Sequence, residues 1–421
     1  MGLPLEVGAV EAAAERIAPY VVRTPVLVAA SLSAMSGSAV RLKLETNQRT
    51  GSFKDRGAAN RLLTLSEPER RGGVLAMSAG NHAQAVAYQA SRLGIPATIV
   101  MPETTPFAKI RRTEQFGARI VLYGETLADA AVRGAELARD EGLAIVHPYD
   151  DPFVVAGQGT VGLEFLADAS DLEVLIVPVG GGGLIAGSAL AAKSLRPGLE
   201  VVGVQTEAFP ALQRARAGLD PGIGPPRSTI AEGIAVASIG AIPGALIEAF
   251  VDDVVLVGES AIERAIHLLL EEEHLLAEGA GAAPLAALLA EPARFRGRTV
   301  GLVVCGGNID TGMLANVIAR VRLCEGRVVR VRVEIDDRPG VLADVARTIA
   351  ECGANILDVV HQRLFSDVPS KRAELDVTFE ARTPADVDAI LAQLRAHYTV
   401  GALESRLHSV PEAATTPLDG A

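Results

Sequence analysis

The chain has 421 residues and a formal net charge of −12 at pH 7. This length is too great for one ordinary domain and suits two or three. The acidic balance argues against nucleic acid as a partner, because phosphate binding requires a basic face. No uncharged apolar stretch is long enough to span a bilayer, so we expect no membrane segment.

Three cysteines, Cys305, Cys324 and Cys352, lie far apart and form no CxxC pair. This usage indicates a reducing compartment without a disulfide framework. The N-terminal stretch lacks a basic region followed by an apolar one, so it does not resemble a secretory signal, and we expect a cytoplasmic protein. The seven histidines have no metal-binding spacing, and we predict no metal site.

Short apolar runs alternate with Ala-rich helical segments over the first three quarters of the chain. This order predicts βαβ units and a mostly parallel sheet that helices cover on both faces. Ligands of such folds bind beyond the carboxyl ends of the strands. The predicted strands are Val40–Leu44, Val74–Met77, Ala97–Met101, Ile120–Leu122, Ala144–Val146, Val174–Val179, Val201–Val204, Val254–Val257 and Val300–Val304.

The pattern changes after Arg322 to a βαββαβ order, which predicts a separate α+β domain. We therefore place the domains at residues 1–322 and 327–405, and expect residues 410–421 to be a disordered tail. The predicted elements of the second domain are strands Arg327–Ile335, Asn355–Val360, Ala373–Phe379 and Tyr398–Val400, with helices Val341–Ala350 and Pro384–Ala396.

Lys54 lies between Phe53 and Asp55 in the stretch RTGSFKDRGA, at a predicted loop-to-helix junction. An amine in a partly apolar pocket loses basicity and becomes a nucleophile. Most lysines only keep a protein in solution, so a chemical role for Lys54 depends on partners elsewhere in the chain.

Two stretches that follow predicted strands are suited to anions. Met77–Gln84 reads MSAGNHAQ and opens a helix, whose free N–H groups favour a carboxylate; an ordinary Ser or Asn helix cap is the alternative. Gly180–Gly183 with Leu184 reads GGGGL, which lets backbone N–H groups close around a phosphate, with a flexible loop as the alternative.

Three further stretches are less specific. Cys305, in VVCGGNID, is placed to face a flat ligand ring, although a buried structural cysteine explains it equally well. Glu278, in AEGAG, either orders a cofactor edge or a loop, or is a surface residue. Gly157–Gly162 (GQGTVG) is interpreted as a glycine-rich turn before a helix.

The motifs SFKDRGA, SAGNHAQA, GGGGL, AEGAG and CGGN, in this order, resemble the fold-type II pyridoxal-phosphate (PLP) enzymes, and most of all the threonine dehydratase (threonine ammonia-lyase) family. The resemblance covers roughly residues 5–320 and implies an α/β fold of two open subdomains with mostly parallel sheets. DRPGVL and GANI resemble an ACT regulatory domain. That likeness implies an amino-acid effector near Asp337–Leu342, or a dimerisation module without a ligand.

The resemblance implies a role for each motif. Lys54 would hold PLP and take the α-proton, with Phe53 beside the ring and Cys305 facing the pyridine nitrogen. Asn81 would bind the phenolic oxygen of PLP and Glu278 would line its edge. The phosphate would be bound by Gly180, Gly181, Gly182, Gly183 and Leu184, and the substrate carboxylate would be surrounded by Ser78, Ala79, Gly80, Asn81 and His82.

The expected function is deamination of L-threonine to 2-oxobutanoate and ammonia by a homodimer or homotetramer. Serine dehydratase, serine racemase and hydroxyaspartate ammonia-lyase are alternatives, and a non-catalytic amino-acid-binding regulator is an alternative of another class. Ala79 stands where the resembling racemases have a serine, which favours elimination. Gln205 stands where they have a glutamate near a divalent cation, which favours a site without metal. Threonine-versus-serine preference and effector identity stay open.

Overall fold

The computed structural model describes residues 2–219, 228–363 and 368–403. The chain divides after Asp310 into two compact units. The helix Thr311–Cys324 groups with the second unit, although the predicted first domain extends to residue 322. The functional limits of the domains stay a prediction, and the expected tail at 410–421 lies outside the described residues.

Apart from β1, the described strands agree with the predicted ones to within a few residues at each end. They are β1 (Val26–Val28), β2 (Ala39–Leu44), β3 (Val74–Met77), β4 (Ala97–Met101), β5 (Arg119–Leu122), β6 (Ala144–Ile145), β7 (Val174–Pro178), β8 (Glu200–Thr206), β9 (Asp253–Val257), β10 (Thr299–Val304), β11 (Val328–Asp336), β12 (Asn355–Gln362), β13 (Arg372–Glu380) and β14 (Thr399–Ala402).

The described helices connect these strands. They are α1 (Val7–Ile17), α2 (Ala30–Ser36), α3 (Lys54–Leu63), α4 (Glu67–Gly72), α5 (Asn81–Leu93), α6 (Phe107–Glu114), α7 (Leu127–Glu141), α8 (Pro152–Asp168), α9 (Gly183–Leu195), α10 (Ala211–Arg216), α11 (Ala241–Phe250), α12 (Glu259–Glu273), α13 (Gly279–Ala290), α14 (Pro292–Phe295), α15 (Thr311–Cys324), α16 (Val341–Glu351) and α17 (Pro384–His397).

The first unit contains two sheets, as the α/β prediction requires. The larger has the order β1-β2-β10-β7-β8-β9 and the smaller the order β5-β4-β3-β6. Among the described strands of these two sheets, every pairing is parallel except that of β1 with β2. All five residues of β7 are buried, as expected of a parallel strand covered on both faces. Residues just after β3, β7 and β10 therefore lie at the carboxyl edges of these sheets.

The antiparallel strand β1 was absent from the prediction. Its three residues, Val-Leu-Val after Pro25, are too few to show a periodicity. The strand forms only because its backbone pairs with β2.

The prediction of a turn over Gly157–Gly162 is wrong, because these residues lie inside α8. A Cβ atom on Gly159 would lie 2.8 Å from the carbonyl oxygen of Gly187 in α9. The glycines are needed for the close approach of two helices, and that packing outweighs their low helix propensity.

The second unit contains the predicted βαββαβ order, which is confirmed. Its antiparallel sheet has the order β12-β13-β11-β14. Helices α16 and α17 pack against the sheet through a common hydrophobic core, which includes the fully buried residues Val333, Ile349, Leu375, Phe379 and Ile390.

Across the described ranges, we find no helix that combines the length and the apolar character needed to cross a membrane.

Candidate active site

Lys54 is the first residue of α3, and its amine points back toward the loop after β6. Its Nζ atom donates a hydrogen bond to the carbonyl oxygen of Pro148 at 2.7 Å. The residue keeps some accessible surface, but burial of the amine lowers its pKa to about 8, against smaller opposing effects of Cys305 and Glu278. A neutral, nucleophilic amine is therefore accessible near physiological pH.

The loop before Lys54 is joined to the end of β10. The backbone N–H of Phe53 donates to the carbonyl oxygen of Cys305 at 3.0 Å, and Ser52 forms a bridge with Gly306. The Lys54 Nζ atom lies 5.1 Å from the centre of the Phe53 ring. Two motifs that are about 250 residues apart in the sequence thus form one surface.

Cys305 lies at the carboxyl end of β10 and is 3% exposed. Burial raises the pKa of its thiol well above the ordinary value, and the nearby Glu278 acts in the same direction. The thiol is consequently neutral at physiological pH, and a buried neutral thiol is only a weak hydrogen-bond partner.

Glu278 precedes α13 and contacts the motif that follows β3. Its Oε1 atom accepts a hydrogen bond from the Nδ2 atom of Asn81 at 2.7 Å, and its backbone N–H donates to the carbonyl oxygen of Gly306 at 3.0 Å. Burial raises the pKa of this carboxyl to about 7. Glu278 is half-buried and its carboxylate is engaged by Asn81, so it is not an exposed surface residue.

The stretch Ser78–His82 lies at the carboxyl end of β3, where α5 begins at Asn81. Gly80 precedes the helix, and no side chain caps it, so the alternative of an ordinary Ser or Asn cap is wrong. A Cβ atom on Gly80 would meet nothing within 4 Å. Ala79, next to it, adds only a methyl group. The start of α5 therefore faces open space, as an anion site requires.

His82 is 3% exposed, and its Nε2 atom lies 2.8 Å from the carbonyl oxygen of Val146. Burial, helped by the charge of Lys54, lowers the pKa of the imidazole to about 3. A neutral ring must donate from Nε2 to that carbonyl. Its Nδ1 atom is then an acceptor, and it has no partner among the described residues.

Gly180–Gly183 form a tight loop between β7 and the first turn of α9. Gly182 has a φ of 96°, a conformation that favours glycine. Within the described residues, the N–H groups of Gly180, Gly181 and Gly182 donate to no backbone carbonyl. Leu184 follows and is buried. Unpaired N–H groups at a helix start are suited to a phosphate.

Tyr149 and His147 lie beside the glycine loop, although no sequence motif pointed to them. The Tyr149 ring packs on the glycine loop, since a Cβ atom on Gly181 would lie 2.3 Å from it. The ring centres of His147 and Tyr149 are 4.8 Å apart. Both follow β6, so the rule that ligands lie beyond strand ends would have found them.

A buried ionic network anchors α3 behind Lys54. The Arg56 side chain is fully buried; it donates to Glu45 from Nε at 2.7 Å and to Glu164 from Nη1 at 2.7 Å. The fully buried Lys43 donates to Glu164 at 2.7 Å. The positive charges of Arg56 and Lys43 balance the negative charges of Glu45 and Glu164. Together these four side chains hold α3, the helix that begins with Lys54, in place.

Comparison with known protein families matches residues 17–306 to the family described as pyridoxal-phosphate dependent enzyme. The chain belongs to this family. Residues 325–401 match the ACT domain. The enzyme uses PLP. Its two sheets are those that the fold-type II resemblance implied, and its second unit is the domain that the ACT resemblance implied.

Individual relatives point in the same direction. An L-threonine ammonia-lyase from Thermotoga maritima is 43% identical over 87% of this chain and 92% of that protein. Among solved structures, a threonine deaminase from tomato (Solanum lycopersicum), in its processed form, is 34% identical, covers 75% of this chain and 87% of that one, and has a TM-score of 0.71. Maize serine racemase is 33% identical over 75% and 97% of the two chains, with a TM-score of 0.70.

The residues of this PLP enzyme fit the cofactor. The unpaired N–H groups of Gly180–Gly182 suit its phosphate, the weakly basic amine of Lys54 suits its carbonyl carbon, and the neutral thiol of Cys305 suits its ring. In the described part of the chain, no group of three or more His, Cys, Asp or Glu side chains is arranged to hold a metal ion. The expected absence of a metal stays a prediction.

Proposed function

We propose that this PLP enzyme converts L-threonine to 2-oxobutanoate and ammonia by β-elimination of water. The observation that supports it most is the 43% identity, over 87% of the chain, with a protein named L-threonine ammonia-lyase. The amine of Lys54, the glycine loop and the open start of α5 supply the basic group and the two anion sites that the reaction needs.

The proposed chemistry uses each end of the amino-acid substrate. The carboxylate binds at the start of α5, among Ser78, Ala79, Gly80, Asn81 and His82. The Nζ atom of Lys54 takes the proton from Cα of the substrate. PLP, when bound, supplies an electron sink for the charge that develops at that carbon. The hydroxyl group on Cβ then leaves as water, taking up one proton in exchange for the one that Lys54 removed from Cα. Hydrolysis of the unsaturated amine that remains consumes one water and releases 2-oxobutanoate and ammonia.

The remaining residues hold the cofactor. In this proposal Gly180–Gly183 and Leu184 bind its phosphate, while Phe53 and Glu278 line its ring. Asn81 donates to its phenolic oxygen. The neutral Cys305 thiol faces its pyridine nitrogen and leaves that nitrogen weakly protonated, which favours elimination over competing reactions.

Two residues favour dehydration over racemisation in this proposal. Ala79 provides no hydroxyl group for proton transfer on the face of the substrate opposite Lys54. Gln205 is fully buried, and its Oε1 atom accepts from the backbone N–H of Leu212 at 2.8 Å. A side chain engaged in this way is not free to hold a cation.

The test is a paired assay of the purified holoenzyme. We expect more 2-oxobutanoate from L-threonine than pyruvate from L-serine, and no conversion of L-serine to D-serine. Pyruvate as the dominant product would indicate a serine dehydratase, and D-serine as the dominant product would indicate a racemase; either result would reject the proposal.

We also propose that the second unit binds an amino-acid effector. A cavity of about 410 Å³ lies beside the predicted position near Asp337–Leu342. Charges of both signs line it, which suits the ammonium and carboxylate groups of an amino acid. The charged lining residues are Glu334, Asp336, Arg338, Asp344, Arg372 and Arg395.

This effector site is tested by adding L-isoleucine or L-valine to the threonine assay. We expect a change in activity that Arg395→Ala weakens. Arg382→Ala, an exposed arginine of the same unit outside the cavity lining, is the matched control and should respond as the wild type does. A response that is equal in all three proteins, or absent from all, contradicts an effector in this cavity.

We further propose a cytoplasmic homodimer or homotetramer, in which residues 1–322 catalyse and residues 327–405 regulate. The edge strand β12 supports self-association, because Leu357, Val359 and Val360 are 50%, 36% and 37% exposed on it. The three cysteines are free thiols, as in a reducing compartment. Light scattering of the eluted protein would measure the assembly, and a monomeric mass would reject it.

A further inference from the structure

Asn308 follows β10 in the loop that contains Gly306, and no motif assigned it a role. Its Nδ2 atom makes two hydrogen bonds. One goes to the backbone carbonyl oxygen of Thr50 at 2.7 Å, and the other to the Oδ1 atom of Asn81 at 2.8 Å. Asn308 thus connects the loop before Lys54 to the residue that, in the proposed function, contacts the cofactor.

These contacts determine which way the amides point. A backbone carbonyl can only accept, so Asn308 must turn its NH₂ group toward Thr50. The second proton of that NH₂ group then meets Asn81, which must present its oxygen to Asn308. The Nδ2 atom of Asn81 is consequently on the far side, where it donates to Oε1 of Glu278 at 2.7 Å.

The NH₂ group of Asn81 has a second proton. Within the described residues, Nδ2 of Asn81 donates to Glu278 alone. One N–H is therefore available to a ligand, whereas a flipped amide would present a carbonyl oxygen in its place.

The loop that orients Asn308 is itself held in place. A Cβ atom on Gly51, whose φ is 75°, would lie 2.8 Å from Oδ1 of Asn308, so the amide fits closely against the backbone. The carboxylate of Asp55 accepts hydrogen bonds from the backbone N–H of Thr50 at 3.1 Å and from its hydroxyl at 2.6 Å. The carbonyl of Thr50 is therefore held in a fixed position, and it determines the orientation of the Asn308 amide and, through it, of the Asn81 amide.

We propose that Asn308 is a positioning residue that fixes the amide orientation of Asn81, so that Asn81 presents an N–H group to the phenolic oxygen of PLP. The inference rests on the proposed role of Asn81 at that oxygen. A donor there stabilises negative charge on the oxygen, and a carbonyl in its place would repel that charge.

The experiment compares Asn308→Asp and Asn308→Ala with the wild type. Aspartate keeps the shape of the side chain, but when ionised it only accepts hydrogen bonds, so it turns the Asn81 amide around. Asn47→Asp is the matched control, because Asn47 is exposed and receives the same charge. The readouts are the visible absorption band of bound PLP and the dissociation constant for PLP, from titration of the apoprotein.

We expect Asn308→Asp to shift the band and to weaken PLP binding about tenfold, the effect of one charge-assisted hydrogen bond. Asn47→Asp should do neither. In an Asn81→Ala background, Asn308→Asp should have no further effect, since there is no amide left to orient. The comparison in the Asn81→Ala background distinguishes an effect through the orientation of Asn81 from a direct effect of the new negative charge on PLP.

Two results would overturn the inference. One is an unchanged band and PLP affinity in Asn308→Asp, and the other is an equally large effect of Asn308→Asp with and without Asn81. If Asn308→Ala does not fold, the isosteric variant Asn308→Asp by itself tests whether Asn308 orients Asn81. A wild type that shows no PLP band would instead overturn the proposed cofactor roles, so the two failures are distinguishable.

Discussion

The charged groups behind Lys54 and those around the cavity of the second unit are held in opposite ways. Behind Lys54, the side chains of Arg56 and Lys43 are fully buried and paired with carboxylates. Around the cavity of the second unit, Arg338 and Arg372 keep 72% and 50% of their side chains exposed. Buried pairs have one arrangement because leaving one partner unpaired is costly, whereas exposed pairs contribute little and rearrange easily. The network behind Lys54 therefore keeps one arrangement, whereas the charged side chains around the cavity can rearrange around an effector.

The largest expected effect comes from Lys54. Lys54→Ala should lower activity by about 10³-fold or more, because it removes both the proposed attachment point for PLP and the proposed base. The visible band of the bound cofactor should change as well. Lys193→Ala is the control, since the amine of Lys193 pairs with Asp252 away from this site. Retained activity in Lys54→Ala would rule out its proposed role.

The rigid network is tested by Arg56→Met. This change leaves the carboxylates of Glu45 and Glu164 without their arginine, and should lower the free energy of unfolding by about 3–5 kcal/mol. Urea titration of the first unfolding transition measures it. Arg119→Met removes an exposed pair with Glu141 and should lower the free energy of unfolding far less. Equal effects of the two changes would break the contrast between buried and exposed charges.

Close helix packing in the first unit is tested by Gly159→Ala. The new methyl group would lie 2.8 Å from the carbonyl oxygen of Gly187, so we expect a loss of about 1–3 kcal/mol. At Gly198, where a Cβ atom would meet nothing within 4 Å, the same change should be neutral or slightly stabilising. The melting temperatures of both variants measure these changes in stability. If Gly159→Ala is as stable as the wild type, helices α8 and α9 can move apart to make room for the methyl group.

The smallest effect concerns pH and His82. The pKa of this histidine is lowered from 6.5 to about 3 in the folded state. Between these two pH values the unfolded chain therefore binds a proton at His82 that the folded chain does not bind. Its contribution to stability is complete above pH 6.5 and is lost as the pH falls toward 3, by about 1.4 kcal/mol per pH unit. His82→Gln should remove this dependence.

The measurement is urea unfolding of the wild-type and His82→Gln apoproteins at about pH 7.5 and about pH 5.5, on either side of the pH at which the loss begins. Other groups, such as Glu278 with its raised pKa, titrate in both proteins and cancel in the difference. A difference between the two proteins that does not change with pH would show that His82 is not held neutral.

The fold was predictable where the pattern of apolar residues in the sequence matches the burial of those residues in the structure. Buried parallel strands such as β7 are apolar throughout, and β11 alternates because one face is covered. The exceptions depend on partners distant in sequence. Strand β1 exists through its pairing with β2, and Gly159 lies in a helix because α9 packs closely against it. Neither partner is visible in a local window of residues.

The amino-acid sequence by itself determined the order of strands and helices, the two units and the motifs at the strand ends. Each of these depends on local periodicity, or on residues adjacent in the chain. Only the tertiary structure decided that Lys54 meets the carbonyl of Pro148, that Glu278 meets Asn81, and that Asn308 joins Asn81 to the loop before Lys54. Those contacts, and the pKa changes that burial causes, arise from segments up to 258 residues apart that folding brings together.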